Sequence, residues 1–209
     1  MTKTAIPDAP NAGKKLLIVD DDRLVLSMIA SGLCAAGYEV TTAESAEDAE
    51  AWLAGGKRPD LAILDVRMPG HGGLYLAQRL RELDHIPFMM LSAYSDPAMV
   101  EQATLSGALG YAIKPMDIVQ LIPAIETALA RANELNDLRT TRKHLQTALD
   151  NERDISIAVG ITMMQHRLNR NDAFEMLRKT ARNRRCKLAA LALEIIQAGD
   201  KVNLLGGHN

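Results

Sequence analysis

The chain has 209 residues, of which 47% are hydrophobic and 24% are charged, and its formal net charge is −2 at pH 7. This length and composition predict a globular protein with one large domain or two small ones. No segment approaches the roughly eighteen apolar residues of a membrane span, and Cys34 and Cys186 have neither disulfide nor metal-site spacing. We therefore expect a soluble cytoplasmic protein that does not bind a membrane.

The small net charge conceals two segments of opposite sign. Residues 153–201 contain ten lysines and arginines and five acidic residues, whereas the remainder contains 14 basic and 21 acidic residues. This asymmetry predicts two units with different partners, and it indicates that the basic unit binds something anionic.

A short disordered leader over residues 1–14 is predicted to precede five strands that alternate with amphipathic helices. The strand sequences are KLLIVD, YEVTTA, LAILD, PFMMLSA and LGYAIK. Strands interleaved with helices predict a parallel sheet covered on both faces, the doubly wound α/β arrangement. Asp96 followed by Pro97 predicts the start of the fourth helix.

The helix after the fifth strand is predicted to continue beyond the α/β domain. A seam of apolar residues alternates spacings of four and three, and it resumes after a phase slip. Its members are Leu121, Ile125, Ala128, Ala132 and Leu135, and then Leu138, Leu145 and Leu149. The seam predicts a coiled coil between two chains, irregular at the slip and kinked or reset near Pro123. One long helix packed along its own domain is the alternative.

Three helical segments are predicted after Arg153, with the sequences DISIAVGITMMQHR, NDAFEMLRKTARN and KLAALALEIIQ. Their apolar positions predict one small core. These positions include Ile155, Ala158, Met163, Phe174, Leu177, Ala181, Leu188 and Leu191. Because this periodicity turns Phe174 inward, stacking of single-stranded bases on it is disfavoured.

The middle of these three segments carries a basic face, and nothing in its RKTARNRRCK stretch is negative. The residues of the face are Arg178, Lys179, Arg182, Arg184, Arg185 and Lys187. Such a face suits the phosphates of a structured nucleic acid. A solvated face or a protein-binding face is the alternative. Double-stranded DNA is less favoured, because no helix-turn-helix pairing is evident.

Chemically active side chains follow the predicted strands where each strand ends. Asp20, Asp21 and Asp22 follow the first strand, Asp65 ends the third, Ser92 ends the fourth and Lys114 ends the fifth. The carboxyl ends of parallel strands meet at one sheet edge, so these groups are expected to form one site. Clustered carboxylates favour a bound cation, and oxygen ligands suit Mg²⁺.

Asp65 is the candidate nucleophile of this site. Once Mg²⁺ and Lys114 neutralise the surroundings, its carboxylate can attack an electrophilic phosphorus, and Ser92 can donate a hydrogen bond to a phosphoryl oxygen. The Pro and Gly residues over 69–73 are expected to turn the loop away and leave Asp65 exposed to a donor. Taken alone, Asp65 has the simpler interpretation of a turn residue.

Residues 15 to about 130 resemble the receiver domain of a two-component response regulator. The motifs are IVDDD at 18–22, ILDVRMPG at 63–70, LSAY at 91–94 and YAIKP at 111–115. The resemblance implies a flavodoxin-like fold, a phosphoryl group accepted on Asp65 from a histidine kinase, and a cis peptide bond between Lys114 and Pro115.

The same resemblance implies the roles of the surrounding residues. Mg²⁺ would be bound directly by Asp21, Asp65 and the main-chain carbonyl of Arg67, whereas Asp20 would act through water. Ser92 and Tyr111 would form the switch pair, in which the hydroxyl moves to the phosphate and the aromatic ring turns inward.

Residues from about 140 to 197 resemble an ANTAR domain, a three-helix RNA-binding output. The matching positions are Ile155, Ala158, Gly160, Ile161, Met163, Ala173, Phe174, Leu177, Arg178, Lys187, Leu188 and Ala192. This resemblance implies dimeric binding to RNA stem-loops of leader transcripts and transcription antitermination. The chain departs from the family at Val159, Thr162 and Arg185, where Lys, Leu and Asn are usual.

These observations predict a receiver domain over 15–130, a helical coiled-coil connector over 131–152, a three-helix RNA-binding domain over 153–199 and a tail over 200–209. The predicted function is that of a homodimeric response regulator that binds RNA and catalyses only its own phosphoryl transfer. In the runner-up interpretation, the same receiver controls a protein-interaction module.

Overall fold

The computed structural model describes the backbone of residues 13–93 and 97–205 and the side chains of residues 13–93 and 98–198. The predicted leader up to residue 12, the helix start at Asp96 and residues 206–209 of the predicted tail lie outside the described residues. The chain divides into two compact units, Met1–Asn136 and Asp137–Asn209.

The first unit is built on a five-stranded parallel sheet. The strands are β1 (Lys15–Val19), β2 (Glu39–Ala43), β3 (Leu61–Asp65), β4 (Phe88–Ser92) and β5 (Tyr111–Ile113). They lie in the order β2-β1-β3-β4-β5, with every neighbouring pair parallel. Every residue of β3 and β4 is buried, as expected for central strands covered on both faces. The predicted doubly wound fold is confirmed.

Seven α-helices follow in chain order. They are α1 (Arg23–Ala35), α2 (Ala46–Ala54), α3 (Gly73–Arg79), α4 (Pro97–Leu105), α5 (Ile118–His166), α6 (Arg170–Asn183) and α7 (Leu188–Leu205). A π-helical turn over Leu80–Asp84 extends α3, and no feature of the sequence predicted it.

Alternate residues of the strands supply two separate cores. Leu17, Leu64 and Met90 pack into one core with residues of α2 and α3, whereas Ile18 and Ile63 pack into the other with residues of α1 and α5. Because successive side chains of a strand point to opposite faces, each central strand is anchored from both sides. The strand ends that carry the candidate site are therefore held in place.

Helix α5 is continuous over its 49 residues, including Pro123 and the predicted phase slip. The prediction of local irregularity at the slip is wrong. Backbone hydrogen bonding maintains a helix whatever its apolar pattern, and no partner helix is present to force the seam into register. The seam itself is open to solvent, since Leu138, Leu145 and Leu149 are 66%, 62% and 62% exposed.

The second unit has a small core formed by the end of α5 with α6 and α7. Its buried residues are Ala158, Val159, Ala173, Leu177, Ala181, Leu191 and Ala192. The predicted inward position of Phe174 is wrong, because this side chain is 37% exposed. Ala173, Leu177 and Ala181 recur every four residues and take the buried line of α6, which leaves Phe174 at its edge.

Candidate functional site

Three carboxylates meet at the carboxyl edge of the sheet, as the strand ends predicted. Asp20 follows β1, Asp65 ends β3, and their oxygens lie within 4.8 Å of one another and of an oxygen of Asp21. The Asp20 side chain is 1% exposed and that of Asp65 is 10% exposed. The third consecutive aspartate has another task, because Asp22 accepts hydrogen bonds from the Leu24 and Val25 amides and caps α1.

Lys114 brings a positive charge to this cluster from the end of β5. Its ammonium nitrogen forms an ion pair with Asp20 and lies 3.4 Å from Oδ2 of Asp65. The peptide bond between Lys114 and Pro115 is cis, as predicted, and the Lys114 amide donates to the Ser92 carbonyl at 2.7 Å. The lysine therefore bridges two of the three carboxylates.

Burial governs the electrostatics of Asp65. Removal from water raises its pKa above the ordinary value, Lys114 opposes this shift, and the charge of Asp20 adds to it. One lysine does not balance three nearby carboxylates. An oxygen-only cluster with surplus negative charge has the donor set that suits Mg²⁺, so the residues present fit that ion.

The two predicted switch residues lie on neighbouring strands. Ser92, the last residue of β4, is 1% exposed. Tyr111 begins β5 opposite Met90 and is half-buried against the core shared with α2 and α3. Their proposed movement stays a prediction.

The loop after Asp65 does not leave the carboxylate open, and that prediction is wrong. Gly73, the first residue of α3, lies so close that a Cβ atom built on it would stand 1.8 Å from the Asp65 carbonyl oxygen. Gly70 adopts a left-handed φ of 75° that turns the chain back toward the sheet. Sequence reasoning missed Gly73 as a site residue, although a glycine at a helix start was the available signal.

All six predicted RNA-binding residues are exposed, on α6 or in the turn after it. The expectation that no acid compensates them is wrong for two arginines. Arg178 pairs with Glu175 at 3.3 Å, and Arg184 pairs with Glu194 of α7 at 2.8 Å. Within the described part of the chain, the other four, Lys179, Arg182, Arg185 and Lys187, form no ion pair within 4.0 Å.

The three departures from the ANTAR pattern have different structural consequences. Val159 is 5% exposed and belongs to the core. Thr162 is buried, and its hydroxyl donates to the Ala158 carbonyl at 2.8 Å, which satisfies the polar group. Arg185 adopts a left-handed φ of 52°, a conformation that Asn tolerates better than Arg.

Family models match both units. The response regulator receiver domain model matches residues 16–126, and the ANTAR domain model matches residues 143–196. The chain therefore belongs to the response regulators and has a receiver domain followed by an ANTAR domain.

The relatives agree with this class. The chain is 32% identical over 185 residues to the transcriptional regulatory protein PdtaR of Mycobacterium tuberculosis, covering 88% of this chain and 90% of that protein. It is 37% identical over 122 residues to the phosphate regulon regulatory protein PhoB of Pseudomonas aeruginosa, covering 57% and 53% of the two chains. The chemotaxis protein CheY4 of Vibrio cholerae superposes with a TM-score of 0.52 at 31% identity, covering 56% and 99%. The likeness to PdtaR thus extends over both units.

A search of the helices over the described residues found none whose length and apolar content would suffice for a membrane crossing.

Proposed function

We propose that this protein is a cytoplasmic response regulator that accepts a phosphoryl group on Asp65 from a histidine kinase and controls gene expression by binding RNA stem-loops. The observation that carries the proposal is the grouping of Asp20, Asp21, Asp65 and Lys114 at one sheet edge of a chain that ends in an ANTAR domain. The ANTAR family model supports transcription antitermination as the output.

Asp65 supplies the nucleophile of the proposed phosphoryl transfer. One of its carboxylate oxygens forms a bond to phosphorus while the bond between phosphorus and the kinase imidazole nitrogen breaks, and the leaving imidazole takes up a proton. Lys114, 3.4 Å from Asp65, lies where it can pair with phosphoryl oxygens as their charge develops. The Ser92 hydroxyl is the proposed donor to one of these oxygens.

A magnesium ion is the proposed cofactor of this site. Asp21, Asp65 and the main-chain carbonyl of Arg67 would bind it directly, with Asp20 acting through water. When bound, Mg²⁺ supplies positive charge that neutralises phosphoryl oxygens during transfer. The protein would catalyse only this transfer and its reversal by hydrolysis, and it would have no separate substrate.

The proposed output starts from the charge of the phosphoryl group, about two negative charges. That charge favours the state in which Ser92 and Tyr111 have moved toward it. Helix α5 begins at Ile118, four residues after Lys114, and continues without interruption into the second unit. A change at the site therefore has a continuous covalent and helical route to the RNA-binding surface, and pairing of two α5 seams would make the homodimer.

Labelling with a small acyl phosphate in the presence of Mg²⁺ tests the phosphoacceptor. The wild-type chain should incorporate one phosphoryl group, and Asp65→Asn should incorporate none. Asp22→Asn is the matched control, because asparagine also caps a helix and the nucleophile is untouched. Labelling that persists in Asp65→Asn would show that the proposed nucleophile is wrong.

Titration of the phosphorylated and unphosphorylated protein with structured RNA and duplex DNA, at several salt concentrations, tests the output. Contacts to phosphates predict that RNA affinity falls steeply as salt rises. Absence of binding to either nucleic acid would favour the protein-interaction module instead.

A further inference from the structure

The second unit contains a groove of about 700 Å³ with an exposed aromatic ring on its wall. We call it the Phe174 groove, after the residue of α6 that faces Ile155 of α5 and Leu188 of α7 across it. Its polar lining includes Asn151, Arg170 and Asn171. All of these residues belong to one compact unit.

We propose that the Phe174 groove binds an unpaired nucleobase from the loop of the RNA that the basic face contacts. The inference rests on the proposed RNA-binding function and adds a base-recognition site to it. Its first support is that Phe174 is 37% exposed and is not a member of the buried core of this unit. A phenyl face left open to solvent is a stacking platform, which accepts any base because every base has a π-face.

The charges around the ring provide the second support. Arg170, Phe174, Arg178 and Arg182 recur every four residues of α6, so they follow one another along the same side of the helix with a drift of about 40° per step. The aromatic ring thus has an arginine one turn before it and one turn after it. Phosphates on both sides of a flipped-out nucleotide would meet these guanidinium groups. The pairing of Arg178 with Glu175 is exposed, and exposed pairs contribute little.

The edge of a stacked base has partners within the same groove. Asn151 and Asn171 each carry an amide that both donates and accepts hydrogen bonds, and Glu152 accepts them. Base edges present the same mixture of donors and acceptors, and single-stranded loops expose them.

This polarity also favours a nucleobase over a second copy of the chain. Five of the ten residues that line the groove are polar or charged, namely Asn151, Glu152, Ser156, Arg170 and Asn171. The centres of protein interfaces are depleted of charged residues, whereas a base-recognition site requires polar groups beside its stacking face.

The test uses the full-length protein and two RNA probes with the same stem. One probe is a hairpin pool with a randomised loop, from which the loop sequence best bound by the wild-type protein is selected. The other is the stem closed as a blunt duplex. Phe174→Leu keeps apolar bulk but removes the π-face, Phe174→Tyr keeps the ring, and Met176→Leu changes an exposed residue of α6 outside the groove.

We expect Phe174→Leu to bind the selected hairpin about 10- to 100-fold more weakly and to lose its loop-sequence preference, while its affinity for the duplex is unchanged. Phe174→Tyr and Met176→Leu should bind both probes as the wild type does. Arg170→Ala should weaken binding to both probes and reduce the salt dependence by about one phosphate contact. Circular dichroism and sedimentation establish that each variant is folded and has the wild-type oligomeric state.

Equal hairpin affinity of the wild type and Phe174→Leu would overturn the base site while leaving the RNA-binding function intact. Loss of dimerisation in Phe174→Leu, with hairpin and duplex affinity falling together, would assign the groove to an interface between two copies. A wild-type protein that binds neither probe would overturn the proposed RNA-binding function itself.

Discussion

At Asp65, burial and neighbouring charge act on the same carboxylate. Its side chain is 10% exposed, lies 3.4 Å from one ammonium nitrogen and shares its surroundings with Asp20 and Asp21. The site is therefore arranged for a charge that is added later, as a metal ion, and it is electrostatically unfavourable without that charge.

Replacement of Asp65 by Asn should stabilise the receiver domain in the absence of Mg²⁺. Because the folded pKa of Asp65 is raised above the unfolded value, ionisation opposes folding. Stability is lost as pH rises through the interval between these pKa values, and neutral pH carries the whole penalty. We expect thermal unfolding at pH 7 in a chelator to shift upward by a few degrees. Mg²⁺ should then stabilise the wild type more than the variant, and a lowered midpoint for Asp65→Asn would contradict the argument.

Gly73 positions the same residue through the backbone. In Gly73→Ala the new Cβ would stand 1.8 Å from the Asp65 carbonyl oxygen, so strand β3 or helix α3 must shift. We expect a loss of about 1–3 kcal/mol in the free energy of unfolding and slower phosphorylation of Asp65. The control is Gly72→Ala, whose nearest contact would be an ordinary 3.5 Å. Chemical denaturation and acyl-phosphate labelling of both variants measure the difference.

Among the helices, the end of α6 has a backbone conformation that its residue disfavours. The Cys186 amide donates to the Ala181 carbonyl at 3.0 Å and the Arg185 amide donates to the Arg182 carbonyl at 3.1 Å, which is a Schellman motif. The left-handed position of this motif is usually glycine, but here it is Arg185, with φ of 52°. Arg167 occupies the equivalent position after α5, with φ of 55°.

Arg185→Gly should therefore stabilise the second unit by about 1 kcal/mol, because glycine adopts a left-handed φ without steric cost. It should also weaken RNA binding if Arg185 contacts phosphate. Arg182→Gly removes an arginine from the interior of α6 and should destabilise the unit by about 1 kcal/mol. Urea denaturation followed by far-ultraviolet circular dichroism measures both changes, and equal signs for the two variants would refute the strain at Arg185.

For the molecule as a whole, the exposed seam of α5 is the surface on which dimerisation depends. Leu135, Leu138, Leu145 and Leu149 are 42–66% exposed in the single chain, and they recur at the spacings of a coiled coil. Such a stripe is costly in water and becomes favourable when a second copy covers it.

Substitution of Leu145 and Leu149 by Asp should convert a dimer into a monomer, because four carboxylates would then face one another in the paired seam. Thr147→Asp places the same charge on the opposite side of α5 and should leave the dimer intact. Sedimentation equilibrium at several protein concentrations distinguishes the states. An unchanged molecular mass in the double variant would place the interface elsewhere.

Sequence alone was sufficient for the sheet and for the identity of the acidic cluster. Parallel strands deliver their carboxyl ends to one edge, so Asp20, Asp65 and Lys114 had to meet once five strands were recognised. Their grouping follows from topology and needs no knowledge of side-chain packing.

Tertiary structure decided what depends on contacts distant in sequence or on small rotations. Phe174 lies at the edge of the buried line of α6, where helical periodicity could not separate exposed from buried. The pairing of Arg184 with Glu194 joins two helices, and the contact of Gly73 with Asp65 depends on how α3 meets the sheet. Patterns of residue type thus determined which groups the protein brings together, whereas packing decided how open each group is and what compensates its charge.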